Sequence, residues 1–137
     1  QNMTVKIGVI GSREYVNMRK IKDVIFKLKE RFGEDLEIVS GEQKQGADGM
    51  AKKIALELDM KYVSFPPAHY PYNSHCILEQ TEYDKPYRVW NYSARNKQIA
   101  EYSDYIFAFI PKGKESRGTN DTIKHAKKLE KKVVVFN

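Results

Sequence analysis

VKIGVIG, residues Val5–Gly11, is a continuous apolar run closed by glycine. A strand that shows one face to water alternates apolar with polar side chains, whereas one that is apolar throughout is covered on both faces, as in a parallel sheet with helices above and below. The run breaks at the polar pair Ser12-Arg13. Beyond it, Met18 to Phe32 sets Ile21, Val24, Ile25, Leu28 and Phe32 on one stripe, and Gly33 supplies a helix stop. LEIVS (Leu36–Ser40) reads as a second strand, Met50 to Leu58 as a helix through Met50, Ile54, Ala55 and Leu58, and KYVSF (Lys61–Phe65) as a third strand ahead of Pro66-Pro67.

From Ala68 to Pro86 no period is visible and Pro, Tyr and polar residues accumulate, which predicts a long excursion. Helical spacing returns from about Tyr87 to Tyr102. YIFAFI (Tyr105–Ile110) is the most apolar strand, Thr119 to Leu129 a last helix and VVVF (Val133–Phe136) a last strand. Strands alternating with helices predict a single α/β domain over residues 3–137, with three layers and a mostly parallel five-stranded sheet in the order 3-2-1-4-5. Gln1 and Asn2, ahead of Met3, read as an expression scar.

Composition narrows the function classes. A lone cysteine, Cys76, excludes an internal disulfide framework, and without a signal-like opening the expected compartment is the cytoplasm. No apolar segment approaches the ~20 residues that cross a bilayer, so no membrane partner is expected. The net charge is +6, and from Lys112 to Lys132 eight basic residues face three carboxylates. Two readings stand for that excess: an ordinary solvated helix face, with Ile123, Ala126 and Leu129 on its apolar side, or a basic surface for a polyanion.

Right-handed crossovers gather the strand-to-helix loops on the carboxyl edge of such a sheet, where ligands bind at the reversal of strand order. That edge collects GSREY, then SGEQKQGAD (Ser40–Asp48), then the Pro/Tyr excursion, then PKGKESRGTND. Two of these loops enter helices through glycine, at Gly46-Ala47-Asp48 and at Gly118-Thr119-Asn120-Asp121. A helix start offers unpaired N–H groups and partial positive charge, and glycine lets a ligand come close to the backbone. Arg13 and Arg117 add forked donors matched to phosphate oxygens. The plainer alternative makes Asp48, Thr119 and Asn120 helix caps and leaves the arginines solvated.

Familiar nucleotide fingerprints are absent: there is no G-x-x-x-x-G-K-[ST], and the first turn has GSR in place of G-x-G-x-x-G. His69, His75 and Cys76 lack the spacing of a zinc site, so neither a metal nor a cofactor is expected. SARNKQIAEYSD (Ser93–Asp104) puts Arg95 and Asn96 on the helix before the fourth strand, where they reach either solvent or a pocket at the carboxyl edge.

GSR after the first strand, SG-x-x-x-x-GAD after the second, ARN before the fourth and GT opening the last helix together resemble the SLOG superfamily, the Rossmann-like group shared by DNA-processing protein A and Lonely-guy enzymes, most nearly its small YspA-type branch. The resemblance spans nearly all of Val5 to Phe136. It implies a nucleotide or nucleotide-derived ligand at Gly11, Ser12, Arg13, Ser40, Gly41, Gly46, Asp48, Arg95, Asn96, Gly118 and Thr119. Two departures stand out. Glu42 occupies a position where that branch often has a second glycine, and PKGKESRGTNDT lacks the glutamate of the Lonely-guy motif PGG-x-GT-x-x-E.

Three functions follow. The first is nucleotide-ligand binding by a sensor or sequestering protein, with Arg13 and Arg95 on phosphate, the Gly46 and Gly118 amides cradling it and Asp48 on a ribose hydroxyl. The second is a hydrolase of N-glycosidic or phosphoester bonds with Asp48 or Glu42 as general acid or base. The third is a nucleic-acid-binding module using the C-terminal lysines and Tyr70, Tyr72, Tyr83 and Tyr87. The excursion is either a lid whose rings stack on a base or packing over neighbouring helices. A homo-oligomer is compatible with all three.

Overall fold

The computed structural model describes residues 4–41, 46–65, 89–114 and 116–137. Its strands are β1 (Val5–Gly11), β2 (Leu36–Ser40), β3 (Lys61–Ser64), β4 (Tyr105–Phe109) and β5 (Lys132–Phe136), and its helices are α1 (Met18–Phe32), α2 (Gly46–Glu57), α3 (Val89–Tyr102) and α4 (Arg117–Lys128). All four pairings are parallel, in the order β3-β2-β1-β4-β5. The Rossmann-like topology expected from the alternation is therefore the topology found. His69, His75, Cys76, Glu42 and the tyrosines of the excursion lie outside the described residues.

The apolar character of β1 follows from its place at the centre of the sheet. Ile7 and Val9 pack with Ile21, Val24, Ile25 and Leu28 of α1 and Ala47, Ala51 and Ile54 of α2. Ile10 turns to the opposite face, against Ile99 and Ala100 of α3 and Ala126 of α4. β2 and β4 divide the same way, Ile38 and Phe109 to the first face, Val39, Ile106 and Ala108 to the second. One helix pair thus covers each face of the sheet.

Element boundaries moved where small or polar residues hide the period. The apolar spacing predicts α2 from Met50, but the helix begins at Gly46, because Ala47 and Ala51 are fully buried and extend the stripe toward its start. α4 begins at Arg117, two residues before the expected Thr119, and Leu129, expected on its apolar side, is the C-cap and 44% exposed.

At the amino edge, Asp104 Oδ2 accepts from the Lys6 amide at 2.9 Å, and the Tyr102 hydroxyl donates to Glu37. Burial, and then that bond to Glu37, push the Tyr102 phenol up to about 12. An unfolded tyrosine titrates at about 10, so the neutral phenol contributes stability that is fully present below that pH and is lost as pH rises toward about 12. The urea midpoint of the wild type should accordingly fall more steeply above pH ~10 than that of Tyr102→Phe. Parallel curves would show that Tyr102 adds nothing to the alkaline transition.

Candidate functional site

Strand order reverses between β1 and β4, which pair up to Gly11 and Phe109. The two chains diverge from that point, and a cavity of about 550 Å³ opens at the carboxyl edge. Gly11, Ser12, Arg13, Gly41, Asp48, Arg95, Asn96, Gly118 and Thr119 line it, so four separate sequence motifs reach one space. Ser40 and Gly46 do not line it. Ser40 is fully buried and its hydroxyl pairs with that of Tyr62.

Gly46 has a supporting place. Its φ is 72°, and a Cβ added there would lie 2.3 Å from the Ser12 carbonyl oxygen and 2.9 Å from Arg13 Cα. The start of α2 is therefore wedged against the turn that follows β1. That turn is held from other sides as well: the Ser12 amide donates to the Phe109 carbonyl, the Tyr15 amide donates to the Ser12 carbonyl, and the Glu14 amide donates to Ser12 Oγ, each at 3.1 Å.

The start of α4 is built differently. Ser116 is the N-cap residue but makes no side-chain cap bond; its hydroxyl donates to Thr119 Oγ1 at 2.7 Å. The first-turn N–H groups of a helix have no intrahelical acceptor, and at Gly118 a Cβ would meet nothing within 4 Å. This helix start, unlike that of α2, borders open space. Arg13 and Arg117 are both exposed at the cavity and neither forms a salt bridge among the described residues, although the charge of Arg13 is felt by Glu14.

Asp48 and Arg95 are each only 5% exposed and lie in the cavity wall. Asp48 Oδ2 accepts from the Gly41 amide at 3.1 Å, while Arg95 donates from Nη1 to the Gly41 carbonyl at 2.6 Å and from Nε to Asn96 Oδ1 at 2.8 Å. Asn96 Nδ2 continues to Asp121 Oδ2 at 3.1 Å and to the Gly118 carbonyl at 3.3 Å.

Several lining residues escaped the sequence reading: Ile10, Glu14, Ile99, Ser116 and Thr122. Glu14 accepts from Lys114 Nζ at 2.8 Å, joining the loops after β1 and β4 across the rim. The hydrogen bond from Lys114, and then its charge, hold the Glu14 carboxyl below the usual range, and the same contact raises Lys114. Both side chains are well exposed, so the pair is screened and weak. No three His, Cys, Asp or Glu residues come together in metal-binding geometry among the described residues, and no described helix is long and apolar enough to cross a membrane.

A family model described as DNA recombination-mediator protein A matches residues 1–137. No curated protein matches the chain. Among solved structures, the molybdenum cofactor binding protein from the phototrophic bacterium Rippkaea orientalis is similar at 18% identity and a TM-score of 0.69, over 96% of this chain and 76% of that one. The molybdenum cofactor carrier protein of Chlamydomonas reinhardtii is similar at 21% identity and a TM-score of 0.64, over 96% and 76%. At such identities the likeness is one of fold.

Proposed function

The chain belongs to the DNA recombination-mediator protein A family, and on that premise we propose that it binds a phosphate-bearing small molecule, a nucleotide or nucleotide-derived ligand, in the cavity at the carboxyl edge. It works as a sensor or a sequestering protein, and we place it in the YspA-type branch. The observation that carries this reading is the convergence of Arg13, Arg117 and the uncapped start of α4 on one cavity. Guanidinium forks and first-turn amides both favour an anion, and charge-assisted bonds of this kind are the strong ones.

In this arrangement Gly11, Ser12, Arg13, Gly118 and Thr119 face the ligand, with Gly118 and Thr119 amides on phosphate oxygens. Ser40, Gly41, Gly46, Asp48, Arg95 and Asn96 form the frame behind them. The two structural neighbours are described as binding or carrying the molybdenum cofactor, which supports a holding role for a small molecule on this fold. The hydrolase alternative draws less support. Asp48 is buried and accepts from a backbone amide.

Thermal-shift measurements with adenosine monophosphate, cyclic nucleotides, adenosine diphosphate ribose and the molybdenum cofactor test the proposal. A ligand at a hundredfold its Kd should add ~3 kcal/mol and raise Tm on the order of 10 °C. Arg13→Ala should weaken the active ligand by about 10- to 100-fold. No shift with any of the four, or full affinity in Arg13→Ala, would refute it.

A further inference from the structure

Arg95 and Asp48 carry formal charges, sit at the cavity, and would be natural choices for direct ligand contacts. Their geometry points elsewhere. Both polar groups of the Gly41 residue are engaged, the amide by Asp48 Oδ2 and the carbonyl by Arg95 Nη1. The fit is close enough that a Cβ at residue 41 would lie 2.5 Å from Arg95 Nη1 and 3.0 Å from Asp48 Oδ2. Glycine is thus required for the two side chains to close on the backbone.

The structure assigns Arg95 and Asp48 the role of positioning residues: they grip the end of the β2 wall through Gly41, and the Arg95–Asn96 bond carries that grip across to Gly118 at the start of α4. The path is continuous, from Gly41 through Arg95 Nη1 and Nε to Asn96 Oδ1, then from Asn96 Nδ2 to the Gly118 carbonyl and Asp121. It links the second and fourth strand-to-helix connections, which share no strand pairing. Arginine suits this position because one planar group serves two acceptors at once, whereas lysine is a point donor. The spacing of the two walls around a ligand is therefore set by buried groups that do not touch the phosphate.

The effect on a ligand rests on the binding function proposed above; the grip on Gly41 does not. Amide hydrogen exchange by NMR on the unliganded protein reads the grip, and calorimetric titration with adenosine monophosphate and with adenosine reads its consequence. In the wild type the Gly41 amide should be protected. In Arg95→Lys its exchange should speed up by about tenfold while the Ile38 amide in the sheet keeps its rate. Affinity for the two ligands should fall by the same factor, in contrast to Arg13→Ala, which should weaken the monophosphate alone. A wild-type Gly41 amide that exchanges like an unstructured peptide overturns the assignment without any variant having to fold. So does an Arg95→Lys protein that loses the monophosphate and keeps adenosine, since Arg95 would then be a phosphate ligand. If the wild type binds neither, the proposed function fails and Gly41 exchange alone decides the grip.

Discussion

Gly46→Ala should destabilise the protein by about 3–6 kcal/mol, lowering its urea midpoint without changing the denaturant slope. Two costs add. An alanine must hold φ near 72°, a left-handed conformation that L side chains seldom adopt. Its methyl must also displace the Ser12 carbonyl oxygen, 2.3 Å from where it would sit. That carbonyl cannot yield cheaply, because it already accepts from the Tyr15 amide and belongs to a turn held to Phe109. Whatever relief the backbone finds moves Ser12 and Arg13, so the surviving folded fraction should also lose affinity for a phosphate-bearing ligand. A loss of stability below ~1 kcal/mol would mean that the turn after β1 is softer than its hydrogen bonds imply.

Phe109→Ala should cost about 3–5 kcal/mol. The ring is fully buried at the carboxyl end of β4, stacked on Phe136 with centroids 4.8 Å apart and 13° between planes, and edge-on to Tyr15 at 5.5 Å. Removing it leaves a void beneath the point where β1 and β4 part, and two aromatic contacts are lost with it. The same residue supplies the carbonyl that accepts from the Ser12 amide. Chemical denaturation checks the stability, and titration of the folded protein checks whether the void loosens the Ser12 turn. A cost under ~2 kcal/mol would show that Tyr15 and Phe136 collapse into the space.

Much of this was legible in the chain. The unbroken apolar run of β1 required cover on both faces, and Ile7, Val9 and Ile10 indeed divide between two helix pairs. Motif order also placed most of the proposed ligand-binding residues on one edge, since parallel crossovers deliver every strand-to-helix loop to the same side. Roles were harder to read than places. Arg95 and Asp48 look alike to Arg13 as charged letters near glycine, and only burial and partner geometry separate a frame from a contact surface. Gly46 and Gly118 each open a helix in the sequence, yet one meets backbone and the other meets open space, a difference set by the tertiary approach of Ser12. Leu129 misled because a three-residue spacing runs on to the C-cap, one residue beyond the last helical one.

The opening beside Gly118 has a consequence for how such a cavity can be retuned. Side chains grafted at this position would narrow the space without meeting a neighbour within 4 Å of their first carbon. At Gly41, in the other wall, a first carbon would instead crowd Arg95 and Asp48. Ligand choice and fold stability are thus separable on this scaffold: one flank can be resized to exclude a bulky guest or admit a matched synthetic one, while the other keeps its shape.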